Sequence, residues 1–245
     1  MKNFEFSFDK NVIRLVETSD IESDFMKNLY FYGYKFEDGI EGILRSEFVN
    51  YIKNNSDKEN TEIFNFINDS VYKLDKKIRL CDFNMIIYPE SRSELIRNIM
   101  NVVYDYTSPK FKTIELIKNS INDIYFDNEA YSTHLAKFKM NRQDRKILDG
   151  IIQKIIEDIK NYDYFSIANA VKKPKYRKYF RNFLIFKNKE DELLFKQIEN
   201  SNILIIDDIN TSGSTIKECL RVLNKINPDS KKVIFTLIGG ETHKM

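Results

Sequence analysis

The order of apolar and polar positions separates a helical-looking first third of the chain from a remainder that mixes strands and helices. Within the first eighty residues, "GILRSEFVNYIKN" and "NTEIFNFINDSVYKLDKK" space their apolar side chains three and four apart, which predicts helices, whereas "DFMKNLYFYGYKF" is aromatic-rich and irregular. From Cys81 the pattern changes: an apolar run, Phe83 to Tyr88, reaches Pro89, crosses a polar turn and enters a helical spacing at Leu95, Ile96, Ile99, Val102 and Val103. "KFKTIELI" suits a second strand, and "RKILDGIIQKIIEDIKNY" carries the strongest helical periodicity in the chain. The last quarter reads most clearly, with "NILIIDD" as a short apolar strand, "STIKECLRVLNKI" as an amphipathic helix and "KKVIFTLIGG" as another buried strand. Non-alternating strands in strand, loop, helix, strand order predict an α/β fold whose central parallel sheet is flanked by helices on both faces. The organisation expected is a mainly helical amino-terminal cap over 1–80 and an α/β core over 81–245, with an inserted loop and helix over 118–162.

Composition narrows the functional classes. At 42% hydrophobic and 31% charged residues, the 245-residue chain has the make-up of a folded globular protein with a sizeable core. Its 39 basic and 37 acidic residues nearly cancel, so any affinity for nucleic acid must come from a local patch. Cys81 and Cys219 stand in no C-x-x-C pair and near no histidine at zinc-ligand spacing, which reads as two reduced core thiols. "MKNFEFSFDKNVIRL" has no uninterrupted apolar segment, and no apolar run reaches the roughly 18 residues of a membrane span. A cytoplasmic protein is expected, without membrane attachment.

The chemistry concentrates in "ILIIDDINTSGST", Ile203 to Thr215, where a buried strand ends on two adjacent carboxylates and a hydroxyl-rich turn. A small-residue loop between a strand and a helix aims backbone N–H groups and the positive helix end at one spot, which favours a phosphate. Thr211, Ser212, Ser214 and Thr215 add hydroxyl donors, and Gly213 permits the turn. Two carboxylates there would repel a phosphate unless they served another part of the same ligand, and carboxylates accept hydrogen bonds from vicinal sugar hydroxyls and hold Mg²⁺ directly or through water. Together these describe a ribose 5-phosphate site.

That segment resembles the signature by which type I phosphoribosyltransferases bind 5-phosphoribosyl 1-pyrophosphate (PRPP), with Asn210 in place of the usual aliphatic residue. The resemblance implies the fold of that family, with Asp207 and Asp208 on the ribose 2- and 3-hydroxyls as the catalytic pair. It further implies Asn210, Thr211, Ser212, Gly213, Ser214 and Thr215 around the 5-phosphate, and Mg²⁺ on the two aspartates, directly or through water. It also implies a pyrophosphate loop after the first core strand, where "YPESRSELIR" places Ser91, Arg92 and Ser93; an equally good reading makes Ser93 the cap of the next helix. Purine-salvage members carry an aspartate where Thr211 stands, which disfavours a hypoxanthine or guanine enzyme. With Glu241 to Met245 alone beyond the last strand, the base-selecting hood is expected from the amino-terminal region or the insertion.

Other segments leave alternatives open. In the polar stretch 118–146, Lys137, Lys139 and Arg142 are candidates for a mobile loop's pyrophosphate contacts, against an ordinary solvated loop or helix. "VKKPKYRKYFRNFLIFKNK" interleaves eight cations with five aromatics, which suits either a core strand with cleft cations, Arg177 and Arg181 foremost, or single-stranded nucleic acid. Competence-associated ComF-like proteins have a basic segment in a similar place. His134 and His243 have no visible partner, and Tyr30, Tyr32 and Tyr34 form a period-two stripe that suits packing better than base stacking. Three functions are therefore carried forward: transfer of a phosphoribosyl group from PRPP to a nitrogen acceptor; a non-catalytic regulator or ComF-like nucleic-acid accessory that keeps the site; and a defence protein acting on a nucleotide. A homodimer is compatible with each.

Overall fold

In the computed structural model, which describes residues 3–8, 11–19, 29–56, 60–91, 93–107, 111–137, 142–159, 167–171, 174–198, 202–210 and 213–239, the continuous apolar runs become the inner strands of one eight-stranded sheet. In chain order the strands are β1 (Asn3–Phe8), β2 (Asn11–Ser19), β3 (Leu29–Phe36), β4 (Met85–Pro89), β5 (Lys112–Lys118), β6 (Tyr125–Phe126), β7 (Phe180–Arg181), β8 (Leu184–Phe186), β9 (Asn202–Asn210) and β10 (Lys231–Gly239). The helices are α1 (Gly42–Asn54), α2 (Thr61–Ile78), α3 (Glu94–Tyr104), α4 (Asn128–Lys137), α5 (Arg142–Ile159), α6 (Ile167–Ala170), α7 (Pro174–Arg177), α8 (Lys189–Gln197) and α9 (Ser214–Asn224).

The sheet runs β1-β2-β3-β10-β9-β4-β5-β8, with β6 and β7 paired separately. Its five inner strands, β3, β10, β9, β4 and β5, are parallel, and antiparallel pairs lie at both edges. The fold class expected from the sequence, a central and mainly parallel α/β sheet flanked by helices, is the one observed. Alternate residues of each inner strand feed two apolar layers, as a strand's two-residue period requires. Ile86, Leu204, Ile206, Val233 and Phe235 pack with α1, α2 and α3, whereas Met85, Ile87, Ile203, Ile205 and Ile234 pack with α9 and the helices of the second half.

The first eighty residues supply α1 and α2 as their spacing predicts, but they also supply three strands, where the sequence suggested irregular or helical chain. The reason is visible in "NFEFSF" and "YFYGYKF", short period-two alternations that occupy strand rather than helical positions. β3 pairs with β10, so this region extends the sheet, and Phe6, Tyr34, Phe48 and Phe66 form one edge-to-face aromatic cluster beneath α1 and α2. Tyr32 and Tyr34 are buried in it, so that part of the tyrosine stripe packs.

At the β4–β9 boundary the strand order reverses: from β4 the chain crosses through α3 to β5 on one side, and from β9 through α9 to β10 on the other. Ligands of open α/β sheets bind in the crevice beyond the carboxyl ends of strands at such a reversal. One further detail shapes that end of the sheet. β10 carries one residue more than β3 between Thr236 and Ile238, and the backbone oxygen of Thr236 approaches to 2.3 Å of where a β-carbon on Gly33 would stand. A glycine is required there by close contact with backbone, which cannot swing away. Gly33→Ala is expected to lower stability by about 1–3 kcal/mol, the usual penalty for overpacking, and urea unfolding checks it.

Candidate functional site

β9 runs fully buried from Ile203 to Asn210, and the carboxylates of Asp207 and Asp208 are 7% and 4% exposed. Such burial disfavours ionised carboxylates unless donors or cations meet them. Asp208 has such a cation. The Lys53 ammonium, near the carboxyl end of α1, lies 3.0 Å from Asp208 Oδ2 and donates to Oδ1 at 3.2 Å, and the Ile209 N–H donates to Oδ1 at 2.6 Å. Oδ2 takes the charge contact without hydrogen-bond geometry and accepts from no donor in the structure. Asp207 Oδ1 accepts from the Asp208 N–H at 3.0 Å. Burial, reinforced by repulsion from Asp208, pushes the Asp207 carboxyl well above the ordinary carboxylate range, against the smaller opposing pull of Lys53 and of that N–H.

Strand alternation sends the two side chains to opposite layers. Asp208 meets α1, and Asp207 raises the already burial-raised thiol of Cys219 on α9. Both cysteines are free thiols, and Cys219 is buried as expected, but Cys81 is exposed rather than in the core, because it lies in the short turn between α2 and β4.

The turn after β9 is described at Gly213, Ser214 and Thr215; Thr211 and Ser212 lie outside the described residues. Gly213 has φ +72°, the left-handed region that glycine adopts without strain, and it opens α9. Where α2, α3 and α8 each start on a side-chain cap from Asn60, Ser93 or Asn188, α9 starts on a residue with no side-chain oxygen to offer. A helix amino end presented in this way is suited to an external anion. Asn210 and Ser214 are buried beside it and Thr215 is half-buried.

Across the strand-order reversal, the β4–α3 turn brings Ser91 and Ser93 to the same end of the sheet; Arg92 lies outside the described residues. Ser93 caps α3 by accepting from the Leu95 N–H at 3.2 Å, and Ser91 Oγ accepts from the Ser93 N–H at 3.1 Å. The neighbouring Glu90 accepts from the Lys118 N–H at 3.1 Å, which gives that carboxylate a structural task between β4 and β5.

The basic segment packs its aromatics inward, with Tyr176, Tyr179, Phe180 and Phe183 all buried. Arg177 donates to the Val171 carbonyl at 2.7 Å, and Arg181 pairs with Asp127 at 3.3 Å. Arg181 nonetheless faces a cleft of about 480 Å³ that Lys178 and Lys217 also line. Of the insertion's candidates, Lys139 and the side chains of Lys137 and Arg142 lie outside what is described, as do His243 and the imidazole of His134.

Sequence reasoning missed Lys53, which sits 155 positions from its partner on a helix whose polar face offered no sign of it. Lys217 lies one turn into α9 within a helix whose spacing shows only amphipathicity, and Thr236 stands level with Asp207 inside the apolar strand β10. Among the described residues the Thr236 hydroxyl is buried without a hydrogen-bond partner.

Among the described residues no three or more histidine, cysteine or acidic side chains gather as a metal cluster. Asp207 and Asp208 nevertheless fit the usual protein share of a Mg²⁺ site, one or two carboxylates with the remaining positions filled by water and the ligand's own oxygens. Asp208 Oδ2, buried and accepting no hydrogen bond among the described residues, is the ligand atom an ion would share with the Lys53 ammonium 3.0 Å away.

No protein-family model matches the chain, and no curated protein matches it. Among solved structures, adenine phosphoribosyltransferase from Thermoanaerobacter pseudethanolicus ATCC 33223 is similar at 12% identity and TM-score 0.36, over 74% of this chain and 82% of that one. Among the described residues no helix is long and apolar enough to cross a membrane.

Two stability effects follow from the geometry. Lys53→Met is expected to lower stability by about 1–3 kcal/mol, because it leaves a buried carboxylate without its cation. Adding Asp208→Asn should recover most of that loss, and a double-mutant cycle by denaturant unfolding measures the coupling. For Asp207 the raised folded-state value means that the native protein binds more protons than the unfolded chain between the ordinary and the raised value, so this group erodes stability as pH rises. Asp207→Asn should therefore melt progressively higher than wild type between about pH 4 and about pH 8, as paired thermal melts would show.

Proposed function

We propose that the chain binds a ribose 5-phosphate ligand of the PRPP type beyond the carboxyl end of β9 and transfers its phosphoribosyl group to a nitrogen acceptor, releasing pyrophosphate. One observation carries this reading: two buried carboxylates stand directly before a left-handed glycine turn that opens an uncapped helix, at the reversal of strand order. The carboxylates suit a sugar's hydroxyls and the turn suits its phosphate, at neighbouring points of one crevice.

Each group has a distinct task in this reaction. Ser214, Thr215 and the α9 amino end anchor the 5-phosphate and fix the ribose. Asp207 and Asp208 accept from the 2- and 3-hydroxyls. As the bond from the anomeric carbon to pyrophosphate breaks and the bond to nitrogen forms, positive charge builds on the ring, and nearby carboxylates gain value in the transition state. Lys53 pairs with Asp208 and fixes its orientation for that purpose, lying 3.0 Å from Oδ2 and donating to Oδ1 at 3.2 Å. Asp207 and Asp208 would hold Mg²⁺, directly or through water, and the bound ion would neutralise the departing pyrophosphate. As the new carbon–nitrogen bond forms, the acceptor nitrogen passes its proton to the departing pyrophosphate or to water and becomes neutral.

A second reading keeps the ribose-phosphate site without turnover, as a regulator or nucleic-acid accessory. The observation that favours it is the commitment of both Ser91 and Ser93 hydroxyls to backbone N–H groups of the β4–α3 turn. Calorimetry with PRPP tests the shared part. Wild type should bind, more tightly with Mg²⁺, and Asp208→Asn should weaken binding more than about tenfold, the worth of one lost charge-assisted hydrogen bond. Unchanged affinity in that variant would overturn the site. Release of pyrophosphate in the presence of a nitrogen acceptor then separates the enzyme from the regulator.

A further inference from the structure

Beyond the turn at Gly213, the structure holds a second cationic feature that the ribose-phosphate reading does not use. Lys178, just after α7, Arg181 on β7 and Lys217 on α9 line the cleft of about 480 Å³, together with Asp127 and Glu129. Asp127 is already occupied, pairing with Arg181 at 3.3 Å and accepting from the Ala130 N–H at 2.9 Å. Neither Lys178 nor Lys217 forms an ion pair among the described residues. Lys178 lies over its neighbour's ring, 5.2 Å from the Tyr179 centroid. Lys217 folds back over the turn, its Cε 4.0 Å from where a β-carbon on Gly213 would stand. The cleft therefore begins where the turn ends.

Three cations share the recess with two carboxylates, one of them taken up by Arg181, which leaves Lys178 and Lys217 close together without an ion pair among the described residues. Burial, with repulsion from Lys178 and Arg181, lowers the Lys217 ammonium below its ordinary value, and burial lowers Lys178 as well. An incoming anion removes that repulsion, and charge-assisted hydrogen bonds to phosphate oxygens are the strong kind.

We propose that the Lys178, Arg181 and Lys217 cleft is a second phosphate subsite contiguous with the Gly213 turn, so that the preferred ligand carries a diphosphate on its ribose 5-oxygen. This inference rests on the ribose-phosphate reading of the turn. It widens the ligand class: the turn holds the phosphate next to the ribose, the cleft holds the next one, and a ligand with a single 5-phosphate, PRPP among them, fills only the first. The ligand that fills both is a ribose 5-diphosphate ester, as in ADP-ribose.

Calorimetry on the full chain with two probes tests it. ADP-ribose, which contains a ribose 5-diphosphate, should bind about tenfold or more tightly than ribose 5-phosphate, and the advantage should shrink as salt is added. Lys178→Met should remove that advantage while changing ribose 5-phosphate affinity by less than about twofold. Lys217→Gln provides an independent variant if Lys178→Met fails to fold, and should also bring the two probes together. Equal affinities for the two probes in wild type would overturn the subsite and leave the ribose-phosphate reading standing. An advantage that persists in both variants would come from the adenosine portion and would equally overturn it. Failure of both probes to bind wild type would overturn the ribose-phosphate reading and this inference with it.

Discussion

Two adjacent carboxylates held out of water at the end of β9 are the constraint around which the rest is arranged. Each must be met by a donor, a cation or a proton, and the chain uses all three: backbone N–H groups for one oxygen of each, Lys53 for Asp208, and a raised affinity for a proton at Asp207. Meeting that need ties distant parts of the chain together. The cation comes from α1, which is itself positioned by the aromatic cluster of Phe6, Phe48 and Phe66 under the sheet extension made by β1, β2 and β3. The amino-terminal region is thus joined to the site both through its cation and through the strands it adds to the sheet.

The topology gives the carboxylates their setting. Because β4 and β9 are neighbours whose crossovers depart in opposite directions, the space above their carboxyl ends is left uncovered by either connection. The turns there end differently. The α3 turn closes on itself through Ser91 and Ser93, while the α9 turn starts on glycine and leaves its helix end to be met from outside. Chemistry on this sheet is consequently expected to centre on β9.

Much of the parallel core was legible in the sequence, because strands covered on both faces must be continuously apolar and "MIIY", "ILII" and "VIF" stand out against a charged background. Asp207, Asp208 and Gly213 were legible for the converse reason, as polar and flexible residues where burial would otherwise continue. Lys53 and Lys217 were not, since a lysine on an amphipathic helix reads as solvent-facing until its neighbours in space are known. The strands before α1 escaped notice because their alternation is short and its charged positions resemble loop. The basic segment was ambiguous for a related reason: cations and aromatics in close sequence serve a ring-lined core and a nucleic-acid surface equally well, and only burial of Tyr176, Tyr179, Phe180 and Phe183 tells them apart.

The pleat of β9 carries a mechanical implication. Consecutive residues on a strand look to opposite sides, so Asp207 belongs to the layer of α9 and Asp208 to the layer of α1. Those layers enclose two separate apolar clusters with the sheet as the partition between them. A molecule gripping both carboxylates at once has to arch over the rim of that partition. It would act as a staple between the two halves on either side of the sheet, making their fluctuations a shared property of the occupied protein.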